Sequence, residues 1–161
     1  MKLKSTACIN APKEKVWQVL SDVANIDSWV DPVLSAYCQH DQTSGAGTVR
    51  ICSLKGNIKI EEYFIAWDEG NSFTYEAIGA PLIKSAKNTW SVEPVNGKTL
   101  VTTESEVQLK GGIFAKPLAP LLMLWSKRVS GDSLAALKYF VETGHPYQGK
   151  LSKLPRASTT C

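Results

Sequence analysis

Three residues of the chain carry its best prospects for acid–base chemistry: Glu62, Tyr75 and Arg50, the last an orienting cation rather than a base. Their placement turns on one hairpin. If Lys55-Gly56-Asn57 is a three-residue loop, Leu54 faces Ile58, Cys52 faces Ile60 and Arg50 faces Glu62. Cys52, Leu54, Ile58 and Ile60 then share an inward face, and an Arg–Glu pair on it is a partly buried, charge-assisted bond. Arg50 would keep ionised a carboxylate that, alone in the interior, tends to protonate. The same pair at the rim of the sheet would be a solvated contact worth little. A two-residue loop would slip the register and abolish the pairing.

Other chemistries find few residues to work with. His40 and His145 are the only histidines, one read on a strand and the other past the last helix. That excludes a His-rich metal site and argues against a Ser-His-Asp triad. Cys8, Cys38, Cys52 and Cys161 form no C-x-x-C pair, and no histidine stands at zinc-ligand spacing from them. The first three fall in strand-like segments, where a free thiol packs as a small hydrophobe. A body of this size needs no disulfide framework. Neither a metal nor a cofactor is expected.

The elements that position these residues follow from pattern. Residues 2–10 alternate as a half-buried strand. Ala11-Pro12 opens a helix with Glu14 in its first turn and Val16, Trp17, Val19 and Leu20 on its apolar face. A second short helix spans Val23 to Trp29, and Asp31-Pro32 stops it. Strand-like runs follow at 33–41, 48–54, 58–67, 72–79, 86–94 and 99–109, joined by short turns that imply an antiparallel meander. From about Pro120 to Thr143 the period becomes helical, with Leu122, Trp125, Val129, Ser133, Ala136 and Phe140 as the stripe and Gly144 as the stop.

Alternation also predicts what lines the interior. Strand 58–67 turns Ile58, Ile60, Glu62, Phe64 and Ala66 inward. Strand 72–79 contributes Phe73, Tyr75 and Ala77, unless a bulge reverses it. Ala86, Asn88, Trp90 and Val92 come from the next strand, and Val101, Thr103, Ser105 and Val107 from the last. Aromatics mixed with a few polar groups suit a ligand pocket of about 300–1,000 Å³. The competing reading is a filled core whose small polar groups bond to backbone or buried water. Gly79-Ala80-Pro81-Leu82-Ile83 and Gly111-Gly112-Ile113-Phe114, with Trp29, form a candidate mouth; alternatively Phe114 and Leu118 cover the end of the core.

At 161 residues, with 43% hydrophobic and 20% charged, the chain suits one globular domain. Its net charge of +3 is uneven. Residues 145–161 hold Lys150, Lys153 and Arg156 and no acid, and the remainder carries equal numbers of acids and bases. The division expected is a ligand-binding domain at 1–144 and a basic, flexible tail at 145–161. Such a balance argues against nucleic acid as a partner. MKLKSTAC lacks the apolar run of a signal peptide, and the run from Leu118 to Trp125 is too short to span a bilayer. The expectation is a cytoplasmic protein without stable membrane insertion, as a monomer or weak homodimer.

Ile9-Asn10-Ala11-Pro12 followed by Val16-Trp17, then Trp29, and later Ser133-Leu134-Ala135-Ala136-Leu137-Lys138 with Glu142, resemble the START-like superfamily. That superfamily includes Bet v 1-type proteins and the polyketide cyclase/dehydrase group, and the resemblance covers roughly residues 2–144. It implies an α+β helix-grip fold: a seven-stranded antiparallel sheet curled around a long C-terminal helix, with two short helices after the first strand. It also implies one internal cavity for a small hydrophobic or aromatic molecule such as a lipid, polyketide or quinone. Trp29, Arg50, Glu62, Phe64 and Tyr75 would line it, with Asn88, Trp90 and Thr103 from later strands and Leu122, Trp125 and Val129 from the helix. In resembling hormone receptors, a carboxylate at the position of Glu62 helps order water around the ligand. The enzymatic alternative is a cyclase/aromatase using Glu62 and Tyr75 as acid–base groups. A third reading has the apolar loops contacting a partner or a membrane surface.

Overall fold

The computed structural model describes residues 1–111, 117 and 119–161. The Ile113–Phe114 part of the expected mouth, and Leu118, lie outside them. Seven strands form one antiparallel sheet: β1 (Lys2–Ile9), β2 (Val33–Cys38), β3 (Val49–Leu54), β4 (Ile58–Asp68), β5 (Ser72–Ile78), β6 (Ile83–Val95) and β7 (Lys98–Leu109). Their order is β1-β7-β6-β5-β4-β3-β2, so only β1 leaves the meander, crossing to pair with the last strand. Helix α1 (Lys13–Ser21) and a 3-10 helix (Val23–Ser28) occupy that crossover, and α2 (Ala119–Thr143) follows the sheet. Two local readings change. Strand β2 ends at Cys38, so His40 lies in a turn with a left-handed backbone. Strand β6 begins at Ile83 rather than Ala86.

Two contacts fix the direction of α2. The Asn10 amide donates to Glu142 near the helix end (2.7 Å), and Thr103 and Ser130 hydroxyls meet at 3.2 Å near its middle. The helix therefore runs antiparallel to β7, its first turns toward the Leu109 end. Its second half is packed hard: Ala7, Ile9, Val16, Val101 and Leu137 are fully buried. Gly144 closes it, with φ +77° and its amide bonded to the Phe140 carbonyl.

One expected inward residue is on the wrong face. Ile65 is an extra residue in β4: Phe64 pairs with Tyr75, but Ala66 pairs with Thr74. The bulge reverses the alternation beyond it. Ala66 points out, and Trp67 packs into the core instead. Trp67 stacks on Phe73 at 5.4 Å and meets Trp17 edge-on at 5.7 Å. The indole N–H groups of Trp17 and Trp67 each donate to one oxygen of Glu69, both at 2.7 Å. Those two bonds hold the Glu69 carboxyl below its ordinary range. A depressed folded-state value means the stabilisation is complete above the unfolded value and is lost as pH falls through the folded one. Acid titration followed by tryptophan emission should thus show a transition below the usual glutamate value of about 4.3, absent in Glu69→Gln. A midpoint at or above that value, or a transition unchanged in the variant, would count against the latch.

The cysteine and tail expectations are both corrected. Cys8 is disulfide-bonded to Cys161, while Cys38 and Cys52 are free thiols. The basic tail lies back on the domain. Arg156 pairs with Asp132 at 3.0 Å, Ala157 packs against the core, and the Cys8 amide donates to the Ser158 carbonyl at 2.7 Å. Charge, apolar contact and backbone bonding each hold a stretch that has no strand or helix period of its own.

Candidate functional site

Pairing across the β3–β4 hairpin sets Arg50 opposite Glu62, with Cys52 opposite Ile60 and Leu54 opposite Ile58. This is the three-residue-loop register, and the ion pair is interior: Arg50 is 2% and Glu62 8% exposed. Arg50 Nε donates to Glu62 Oε2 at 2.5 Å and Nη1 to the Val23 carbonyl at 2.9 Å. The Cys52 thiol donates to the same Glu62 oxygen at 3.3 Å. Rings close the sides, with the Arg50 guanidinium carbon 5.4 Å from the centroids of both Phe64 and Tyr75.

Burial and the nearby carboxylate tune these groups. Burial works against the Arg50 charge, but Glu62, Tyr75 and Cys52 together outweigh it, so its affinity for the proton rises. Burial first and Glu62 second push the Cys52 thiol up to about 12. The same two causes, in the same order, raise the Tyr75 phenol. Thiol and phenol are thus both neutral in ordinary buffers, and neither is a ready base or nucleophile. Glu62 already receives two bonds on one oxygen. The arrangement suits holding a polar group better than transferring a proton.

A crevice of about 10 Å³ opens beside Arg50, lined also by Asp22, Val23, Trp29, Tyr75 and Trp90. That is room for about one water, not the expected ligand cavity. The reason is packing: Trp29 and Trp90 meet edge-on at 5.7 Å and fill the space between sheet and 3-10 helix. Farther along the inner face the wall loosens. Ala86, Asn88, Trp90 and Ser105 are only half-buried although they point inward. The Ser105 hydroxyl donates to Asn88 at 2.6 Å, and Thr103 meets Ser130 of α2. Leu122 and Val129 of α2 are half-buried.

Trp125 does not join them. It is 56% exposed, beside Leu121 and Leu124 at 67% each. Trp125 lies three residues after Leu122 and four before Val129, on their side of the helix, but the buried residues of α2 are confined to Ser133–Leu137 and Val141, so Trp125 stands on a part of the helix that is not covered. Sequence reasoning missed the Val23 carbonyl, Asp22 and the thiol bond of Cys52. Parity had placed Cys52 inward; nothing in the pattern marked the other two. A larger depression of about 430 Å³ follows the outer face of β1, β7 and β6. Of its charged residues, Lys2 pairs with Glu106 and Lys4 with Glu104, and Lys87 lies beside them. Among the described residues there is no cluster of His, Cys, Asp or Glu able to hold a metal, and no helix long and apolar enough to cross a membrane.

A curled antiparallel sheet around a long C-terminal helix, with a charged pair inside an aromatic wall, defines a helix-grip protein. The family profile described as polyketide cyclase / dehydrase and lipid transport matches residues 1–142, and the chain belongs to that family. No curated protein sequence matches it. Several solved structures share its fold. Ara h 8.0201 superposes with a TM-score of 0.71 at 15% identity, over 89% of this chain and 98% of that one. XoxI of Bacillus cereus gives 0.72 at 17%, over 88% and 96%. A protein of Thermus thermophilus gives 0.72 at 20%, over 89% and 99%.

Proposed function

We propose that this chain binds a small apolar or aromatic molecule between the sheet and α2, without transforming it. The observation that carries the reading is the contrast between the two ends of the inner face. Val101 and Leu137 are wholly buried at one end, while Ala86, Asn88, Trp90 and Ser105 stay half-open at the other. Apolar surface left accessible on a concave face, with a few fixed polar groups, is the composition of a ligand site. Membership of a family that takes in lipid transport supports the same reading. Trp29 and Trp90 must part for a ligand to reach Arg50, so binding and movement of the 3-10 helix are coupled.

The test is native mass spectrometry with tryptophan quenching across lipids, polyketide-like aromatics and quinones. One molecule bound per chain, with saturable quenching, is the expected result. Ala86→Trp, which fills the open end, should weaken binding at least about tenfold, or about 1.4 kcal/mol. Absence of saturable binding up to the solubility limit would refute the proposal.

A further inference from the structure

One face of α2 is covered along half its length and bare along the rest. The spacing of Leu121, Trp125, Arg128, Asp132, Ala135 and Tyr139 puts them on one stripe of the helix. The C-terminal tail lies over the far half of that stripe. Tyr147 meets Tyr139 edge-on at 5.2 Å, and a short 3-10 helix (Leu151–Lys153) packs against α2. Arg156 then reaches Asp132 at 3.0 Å and the Arg128 carbonyl at 3.3 Å. From there the tail leaves α2 for β1, where Ser158 and the Cys8–Cys161 bond fasten it. Ahead of Arg128 no described residue takes over its place: Leu121, Leu124 and Trp125 are each more than half exposed. Leu82, whose carbonyl takes the Lys110 amide at 2.9 Å, is exposed at the same end of the sheet.

Charge selects what fits this bare stretch. From Lys110 to Gly131 the sequence has no acid. Helix α2 and the tail together hold two acidic side chains, and each has its own cation, Asp132 with Arg156 and Glu142 with Lys138. Lys127, Arg128, Lys150 and Lys153 are exposed, and none has an ion-pair partner among the described residues. We infer that this face docks reversibly on an anionic phospholipid surface, with Leu121, Leu124 and Trp125 entering the interface and the four cations held at the headgroups. Exposed leucines beside a tryptophan, followed on the same helix by cations, have the composition of a helix that lies in a membrane interface. Each cation near such a surface contributes about fivefold in affinity. A second copy of the chain would instead bring four cations against the same four. A convex helix face also needs no matching groove in a fluid bilayer. Docking calls on none of the residues beside Arg50, so it stands apart from ligand binding inside the fold.

The experiment is co-sedimentation with vesicles of equal parts phosphatidylcholine and phosphatidylglycerol, against vesicles of phosphatidylcholine alone. The mixed vesicles should bind at least about tenfold tighter, and added salt should weaken that binding. Leu121→Ser/Trp125→Ser and Lys150→Gln/Lys153→Gln should each lower the affinity for mixed vesicles at least about tenfold. Lys98→Gln, at the opposite end of β7, should leave it unchanged. All five positions are exposed, so the variants keep the fold. The inference is overturned by no sedimentation with mixed vesicles at low salt, by equal binding to both vesicle types, or by losses no larger in the paired variants than in Lys98→Gln. It also falls if vesicles stay unbound while Trp125→Ser abolishes a concentration-dependent dimer, which would make the face a contact between copies.

Discussion

Reducing the Cys8–Cys161 bond should lower the stability of the chain by about 2–5 kcal/mol. The two cysteines are 153 residues apart, and closing so long a loop restricts the unfolded chain by about 5 kcal/mol in the chain-entropy account, although measured values commonly fall at 2–4. For a chain of this length that corresponds to a drop of about 10 °C in midpoint. Thermal denaturation with and without a dithiol reductant reads the effect, and Cys161→Ser should reproduce it. Cys38→Ser, which breaks no bond, should show no reductant-specific change. A reductant shift of under about 2 °C would show that the bond contributes little. The same bond bears on location. Disulfides persist in oxidising compartments and are rare in a reducing cytoplasm, which was the expected setting. Its reduction potential, set against the compartment's, decides whether the tail is fastened in the cell.

Breaking the interior ion pair from one side is the second large effect. Arg50→Leu strands Glu62 in a place closed by Phe64 and Tyr75, at a cost of about 3–5 kcal/mol. The double variant Arg50→Leu/Glu62→Leu should recover a substantial part of that loss, because no charge is then left without a partner. Urea denaturation of the single and double variants gives the coupling directly. Single losses under about 1 kcal/mol that simply add would mean the pair behaves like a solvated surface contact.

That pair was legible in the sequence because a short hairpin loop fixes register, and register fixes which side chains oppose each other. The short turns likewise imply the meander of β2 to β7, though not the pairing of β1 with β7, and alternation puts Phe73, Tyr75, Asn88, Trp90 and Thr103 on the inner face, as observed. Three features had no comparable signal. The bulge at Ile65 is a local insertion inside an otherwise regular alternation. Leu121, Leu124 and Trp125 stand on the first turns of α2, where no residue is buried, and helical period does not reveal how much of a helix's length is covered. Cysteine connectivity depends on where chain ends meet in space, which spacing alone does not reveal. The volume left beside Arg50 depends on how Trp29 and Trp90 pack, and residue types do not fix that.

The link between Cys8 and Cys161 makes nearly the whole chain a covalent ring. A protease that cuts once in an exposed turn between them, at Lys55 for example, opens the ring and releases no fragment. On a denaturing gel without reductant such a molecule migrates as one species, and two pieces part only when thiols are added. Intact mass under non-reducing conditions is thus a poor guide to whether this protein has been clipped.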